Sequence, residues 1–192
     1  MALSFMLTPP PTPTFTEKNL SSQKGKVFIV TGGNQGVGFE LIKMLYPTGA
    51  RIYMAARSAS RAADAMREIT KSDPANAGNL RFLLLDLMDL HSVRAAADAF
   101  REWEEKLDIL WNNAGIGGLA AGEKTVQGVE GHMGVNVLGP WYFARLLGEC
   151  LGRARKEGES GSVSGVDHEL DGGGEESEGV FYHGGFGEGV WG

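Results

Sequence analysis

The sequence predicts an α/β domain built on a doubly wound parallel sheet, followed by a tail with no fold of its own. Three observations predict it. Val27-Phe28-Ile29-Val30-Thr31 is an apolar run rich in β-branched residues, and it breaks into glycines and then into a helical pattern. Three more short apolar runs follow at intervals filled by helical periodicity, an alternation that implies right-handed crossovers between parallel strands. Beyond residue 151 both patterns stop, and glycine rises to nearly a third of the residues.

Each element has its own justification. Residues 1–24 form a Pro/Ser/Thr-rich arm, in which Pro9-Pro10-Pro11-Thr12-Pro13 reads as extended polyproline rather than as a targeting helix. The first strand is expected over Lys26–Thr31. The first helix runs from Gly36 to Tyr46 and is ended by Pro47 and Gly49. Arg51–Ala56 is the second strand. Ser58 can cap a helix reaching Thr70, and a polar loop spans Lys71 to Asn79. Leu80–Leu85 is the third strand. Asp89 can cap a helix carrying Val93, Ala96, Ala97, Phe100 and Trp103, which closes on Glu104-Glu105-Lys106, read as a solvated helix end. Asp108–Trp111 is the fourth strand, and a long helix lies within Thr125–Leu151. The strand order follows as 3-2-1-4. The domain is thus bounded at 25–151, and residues 152–192, with Asp171-Gly172-Gly173-Gly174-Glu175-Glu176-Ser177-Glu178 at their centre, are expected to be a disordered tail.

Composition narrows the function. The chain has 192 residues, enough for one core, and a net charge of -6, so no basic footprint suggests nucleic acid. Cys150 is the single cysteine, which forbids an internal disulfide and suits a reducing compartment. No apolar run is long enough to span a bilayer, and the expectation is a cytoplasmic protein without a membrane partner. Of the four histidines, His91 reads as a surface residue at a helix start, and His168 and His183 lie in the tail with no cysteine or regular spacing to suggest metal. His132 stands close enough to the Asn136 segment to face a substrate, but a solvated loop histidine is the expected reading.

The chemistry is concentrated at the first turn. Strand, glycine turn and helix together make a dinucleotide site of the Rossmann type. Gly32 supplies the tight turn, Gly36 lets backbone approach a pyrophosphate, and Gly38 lets helix pack close to strand. The helix N-terminus adds unpaired N–H groups and partial positive charge, worth up to roughly 2 kcal/mol to a phosphate. At the end of the second strand, where an NAD-preferring protein places an acid on the ribose 2′-hydroxyl, this chain has Arg57. A guanidinium matches a 2′-phosphate, so NADP(H) is expected rather than NAD(H).

Four segments also carry a resemblance. Thr31-Gly32-Gly33-Asn34-Gln35-Gly36-Val37-Gly38, Leu83-Leu84-Leu85-Asp86-Leu87, Asn112-Asn113-Ala114-Gly115 and Gly134-Val135-Asn136-Val137-Leu138-Gly139 resemble, in order, motifs of the short-chain dehydrogenase/reductases, single-domain branch. The likeness covers residues 25–150 and is to fungal-like NADP-dependent members. It implies that Thr31, Val37, Asn113, Ala114 and Gly115 join the glycines at the cofactor, that Asp86 contacts the adenine, and that Asn136 is the catalytic asparagine. It implies hydride transfer between NADP(H) and a small-molecule carbonyl or alcohol, in a secondary-metabolite pathway. Oligomerisation is implied by the resemblance alone.

The family's chemistry also needs a serine on a fifth strand and a Tyr-x-x-x-Lys pair, whose spacing sets both groups on one helical face. Here Tyr142 and Tyr182 are followed four residues on by Leu146 and Phe186, and the fifth strand with its serine is expected to be absent. One choice of codons for Val166–Gly172 (GTG GAC CAC GAG CTG GAT GGC), read one base on, gives Trp-Thr-Thr-Ser-Trp-Met-Ala, and a truncation or frameshift after about residue 150 is the expectation. Two readings stay open: an oxidoreductase, and a catalytically dead nucleotide-binding remnant.

Overall fold

The computed structural model describes residues 16, 19–156 and 162–165. Its elements run β1 (Val27–Thr31), α1 (Gly36–Leu45), β2 (Arg51–Ala56), α2 (Ala59–Thr70), β3 (Leu80–Leu84), α3 (Leu90–Trp103) and β4 (Ile109–Asn112). A helical segment follows in three parts: α4 (Gly131–Met133), a π-helical stretch (Gly134–Leu138) and α5 (Gly139–Leu146). Then come α6 (Gly148–Lys156) and β5 (Ser162–Gly165). The sheet is parallel throughout, in the order β3-β2-β1-β4-β5.

The strands form where apolar β-branched runs occur because both faces of the sheet are covered. All five residues of β1 are buried. Val27 and Ile29 face α3 and α5, packing with Val93, Phe100, Phe143 and Leu147. Phe28 and Val30 face α1 and α2, packing with Ile42, Leu45, Ala62 and Ile69. The period of two along β1 thus divides one strand between two cores. Ser58 caps α2, its Oγ accepting from Arg61 N at 3.4 Å, and Asp89 caps α3 through His91 N at 2.9 Å.

Three expectations need correction. The fifth strand exists: Ser162–Gly165 pairs in parallel with β4, with Leu110 beside Val163 and Asn112 beside Gly165. α6 likewise runs to Lys156, so order continues past 151. With one apolar residue in four, β5 carries no alternation to read. Its pairing comes from the N–H and C=O groups along the β4 edge, which need partners. The outer edge of β4 is therefore covered. Residues 157–161 and 166–192 lie outside the described residues, as does any disorder expected there.

The second correction concerns Glu104, which is buried rather than solvated. It accepts from Arg51 Nη1 at 2.6 and 2.8 Å and from the Tyr53 hydroxyl at 2.7 Å. Burial and the Glu104 hydrogen bond push the Tyr53 phenol up to about 12. Third, the single long helix expected within Thr125–Leu151 is divided: it starts at Gly131, passes through a π turn and breaks at Leu147, before α6.

Candidate functional site

The glycine turn sits at the carboxyl edge of β1, and its glycines serve different ends. Gly32 has φ +67°, and a Cβ there would stand 3.1 Å from Ala114 Cα. At Gly38 a Cβ would fall 2.4 Å from Asn113 Nδ2 and 2.8 Å from Gly32 O. Gly33, which the sequence reading gave no role, is packed under the turn, its would-be Cβ 2.4 Å from Ile42 Cδ1. Only Gly36 opens outward: its φ is +58° and nothing lies within 4 Å of an added Cβ. Gln35, the N-cap of α1, makes no side-chain cap, so the first amides of that helix are left for another acceptor.

Behind the turn, two side chains tie β1 to β4. Thr31 Oγ1 donates to Trp111 O at 3.2 Å and accepts from Ala114 N at 2.9 Å. Asn113 Nδ2 donates to Thr31 O at 2.9 Å. The expected site residues therefore divide. Gly32, Gly36, Val37, Arg57, Asp86, Asn113, Ala114 and Gly115 line one cleft of about 310 Å³. Thr31 and Gly38 are buried behind it and shape it. Asn34, Leu87, Met88, Ile116 and Val135 also line the cleft and were not anticipated. Only their position at strand ends and motif edges could have marked them.

Arg57, at the end of β2, is exposed and makes no ion pair or hydrogen bond among the described residues. Asp86, at the end of β3, accepts from Met88 N at 2.9 Å, which fixes its carboxylate at the rim. Asn136 stands off the cleft wall. Its amide makes two bonds to one residue, Oδ1 accepting from Ile116 N at 2.8 Å and Nδ2 donating to Ile116 O at 3.0 Å. The π turn around Asn136 coincides with this clasp, a local widening of the kind often found at functional positions.

Six residues before Asn136, at the helix start, Glu130 accepts from His132 N at 3.1 Å, Met133 N at 2.8 Å and His132 Nδ1 at 2.9 Å. The Met133 amide and then the His132 ring and amide hold its carboxyl down at about 2. A larger cavity, about 940 Å³, lies at the opposite, amino edge of the sheet, where Arg51 and Glu104 neutralise one another. It shares no residue with the glycine turn. Among the described residues no group of three or more His, Cys, Asp or Glu could hold a metal. No helix there is long and apolar enough to cross a membrane.

A family model for short chain dehydrogenase matches residues 26–165, from the start of β1 through β5. The chain belongs to the short-chain dehydrogenase/reductase family. It is 48% identical over 158 residues to short-chain dehydrogenase/reductase iacJ of Pestalotiopsis fici, a match covering 80% of this chain and 48% of that one. To bet4 of Neocamarosporium betae it is 46% identical over 155 residues, covering 77% and 45%. The chain thus spans about half the length of the curated relatives it matches. Among solved structures, the Pseudomonas aeruginosa RhlG/NADP active-site complex aligns with a TM-score of 0.63 at 30% identity, covering 75% of this chain and 55% of that one. A 3-ketoacyl-(acyl-carrier-protein) reductase from Brucella melitensis, complexed with NADH, aligns at 0.60 and 26% identity, covering 74% and 56%. The family match runs to residue 165, past residue 150 where the sequence motifs end.

Proposed function

We propose that the cleft binds a nicotinamide dinucleotide, NADP(H) in preference to NAD(H), and that its lineage exchanges hydride with a small carbonyl or alcohol. The observation that carries the cofactor preference is Arg57, unpartnered at the end of β2 where no carboxylate accompanies it. The concavity at Gly36 and the uncapped amides of α1 suit a pyrophosphate. The guanidinium suits a 2′-phosphate, with a preference of about one to two decades from a charge-assisted pair of roughly 1.5–3 kcal/mol. Asp86 and the Asn113–Gly115 backbone suit the nucleoside wall, as in the family motif. Solved relatives bound to NADP and to NADH support a nicotinamide nucleotide of either kind, so the preference rests on Arg57.

When bound, the nucleotide supplies or accepts hydride. The chain's own residues orient it: α1 and Arg57 at the phosphates, the Thr31–Asn113 tie beneath the turn, and Asn136 holding Ile116 at the cleft wall. Nucleotide titration tests the reading. NADPH is expected to bind more tightly than NADH, and Arg57→Asp to reverse the order. Equal affinities, unchanged by the substitution, would overturn it.

A second reading applies to this polypeptide as a catalyst. Its sequence has no Tyr-x-x-x-Lys. Loss of a general acid costs about 10²–10⁴-fold. We infer that the 192-residue chain is a nucleotide binder with no more than trace carbonyl reductase activity. Turnover in the ordinary range of about 1–10³ per second would refute that.

A further inference from the structure

Two residues one helical turn apart reach from the α4–π segment to the same stretch of chain. Asn136 holds Ile116 by two bonds, and His132 Nε2 accepts the Leu119 amide at 3.4 Å. The tautomer follows from geometry. An accepting Nε2 requires the proton on Nδ1, and Nδ1 faces Glu130 Oε1 at 2.9 Å. The Leu119 side chain closes the same contact, its Cδ1 sitting 2.4 Å from where a Gly131 Cβ would be. So Leu119 is seated on the helix start by one packing contact and one imidazole hydrogen bond, while Ile116 lines the cleft.

We propose that His132 is a positioning residue: neutral, it holds the segment from Ile116 to Leu119 against the helix that carries Asn136, and protonated, it releases the Leu119 end. An imidazolium has a donor on both nitrogens, so Nε2–H would meet the Leu119 N–H donor to donor. The nearby charged groups are Glu130, in hydrogen-bond contact, and Glu123 and Lys124 of the loop packed on the helix start. Glu123 is held by the Ala120 amide at 3.2 Å. Glu130, its carboxyl held down at about 2, is the anion that faces Nδ1, so protonated His132 keeps that partner and gives up only the Leu119 bond. Asn136 does not titrate, and the Ile116 end stays fixed. The role in the cleft rests on the nucleotide reading above.

The test is amide exchange and amide chemical shift in the full chain as pH is lowered, with the His132 ring resonances themselves reporting when the imidazole takes up its proton. The Leu119 amide is expected to titrate with the His132 ring. It should lose about two- to tenfold protection beyond the intrinsic pH effect, one hydrogen bond's worth, while Ile116 does not change. His132→Gln retains an uncharged acceptor and should make Leu119 protection independent of pH. His132→Leu should lack that protection at every pH. NADPH affinity, expressed as the ratio of wild type to His132→Gln so that the nucleotide's own titration cancels, should fall on acidification with the same midpoint. A Leu119 amide indifferent to His132, or full protection in His132→Leu, would overturn the proposal. A flat affinity ratio alongside a titrating amide would overturn the positioning role at the cleft. Failure of every form to bind NADPH would overturn the nucleotide reading and with it that role, leaving the amide titration to decide the contact itself.

Discussion

Replacing Thr31 by valine should destabilise the fold more than its single-atom change suggests. Valine keeps the shape, so no cavity opens at a residue only 1% exposed. What is lost is the hydroxyl that donates to Trp111 O at 3.2 Å and accepts from Ala114 N at 2.9 Å. The Ala114 amide is then left without its acceptor under the glycine turn, at about 1–3 kcal/mol. The Trp111 carbonyl keeps a second lone pair, and losing the hydroxyl there costs about 0.5–1.5 kcal/mol. The expected total is about 2–4 kcal/mol. For a urea slope of about 1–3 kcal/mol per molar, the midpoint should drop by about 1–2 M. Trp111, edge-on to Phe28 at 5.2 Å, supplies a fluorescence signal. Thr31→Ser is the control: it keeps the hydroxyl and loses one methyl group, about 1 kcal/mol. If the valine variant unfolds at or above the midpoint of the serine variant, the two bonds do not hold β1 to β4 as argued.

Three further outcomes can be measured, two at the glycine turn and one at the opposite edge of the sheet. Gly38→Ala must move the Gly32 carbonyl or displace Asn113, and should cost about 1–3 kcal/mol in denaturant titration; Gly36→Ala meets no atom, carries about 1–2 kcal/mol of left-handed strain, and should lower nucleotide affinity in calorimetry even though nothing packs against it. Tyr53 should ionise near 12 by ultraviolet titration of the phenolate, and Glu104→Gln should bring it down. Because the folded value is raised above the ordinary 10.0, this group's contribution is complete below 10.0 and fades as pH rises toward about 12.

How far the sequence foretells this molecule depends on whether a residue's partners are near in sequence. β1 through β4 were legible because their apolar runs are bracketed by glycine, proline and capping residues. Ser58 and Asp89 stand where the helix starts require them. β5 was not legible because Ser-Val-Ser-Gly has no pattern until β4 lies beside it. Glu104 read as solvent-facing because Arg51 and Tyr53, which bury it, come from the start of another strand. The same holds at the cleft. The glycine turn could be placed from its spacing, whereas Glu130 and His132 became a unit only once the helix brought them onto Leu119.

The Asn113 amide has a consequence for how such chains drift. Its Nδ2 is pinned to Thr31 O, and the space it occupies is the space a side chain at position 38 would need. The glycine at 32 is constrained in turn by Ala114. Two stretches of sequence some eighty residues apart therefore form one interlocking part, in which a larger residue on either side is blocked by the other. Only Gly36 is free of that constraint. A lineage that abandoned its nucleotide would feel no packing pressure to keep Gly36, while Gly32, Gly38 and Asn113 would persist for as long as the sheet folds. Among such descendants, backbone strain alone would hold the glycine at position 36, and it is the first of the three expected to change once no nucleotide binds.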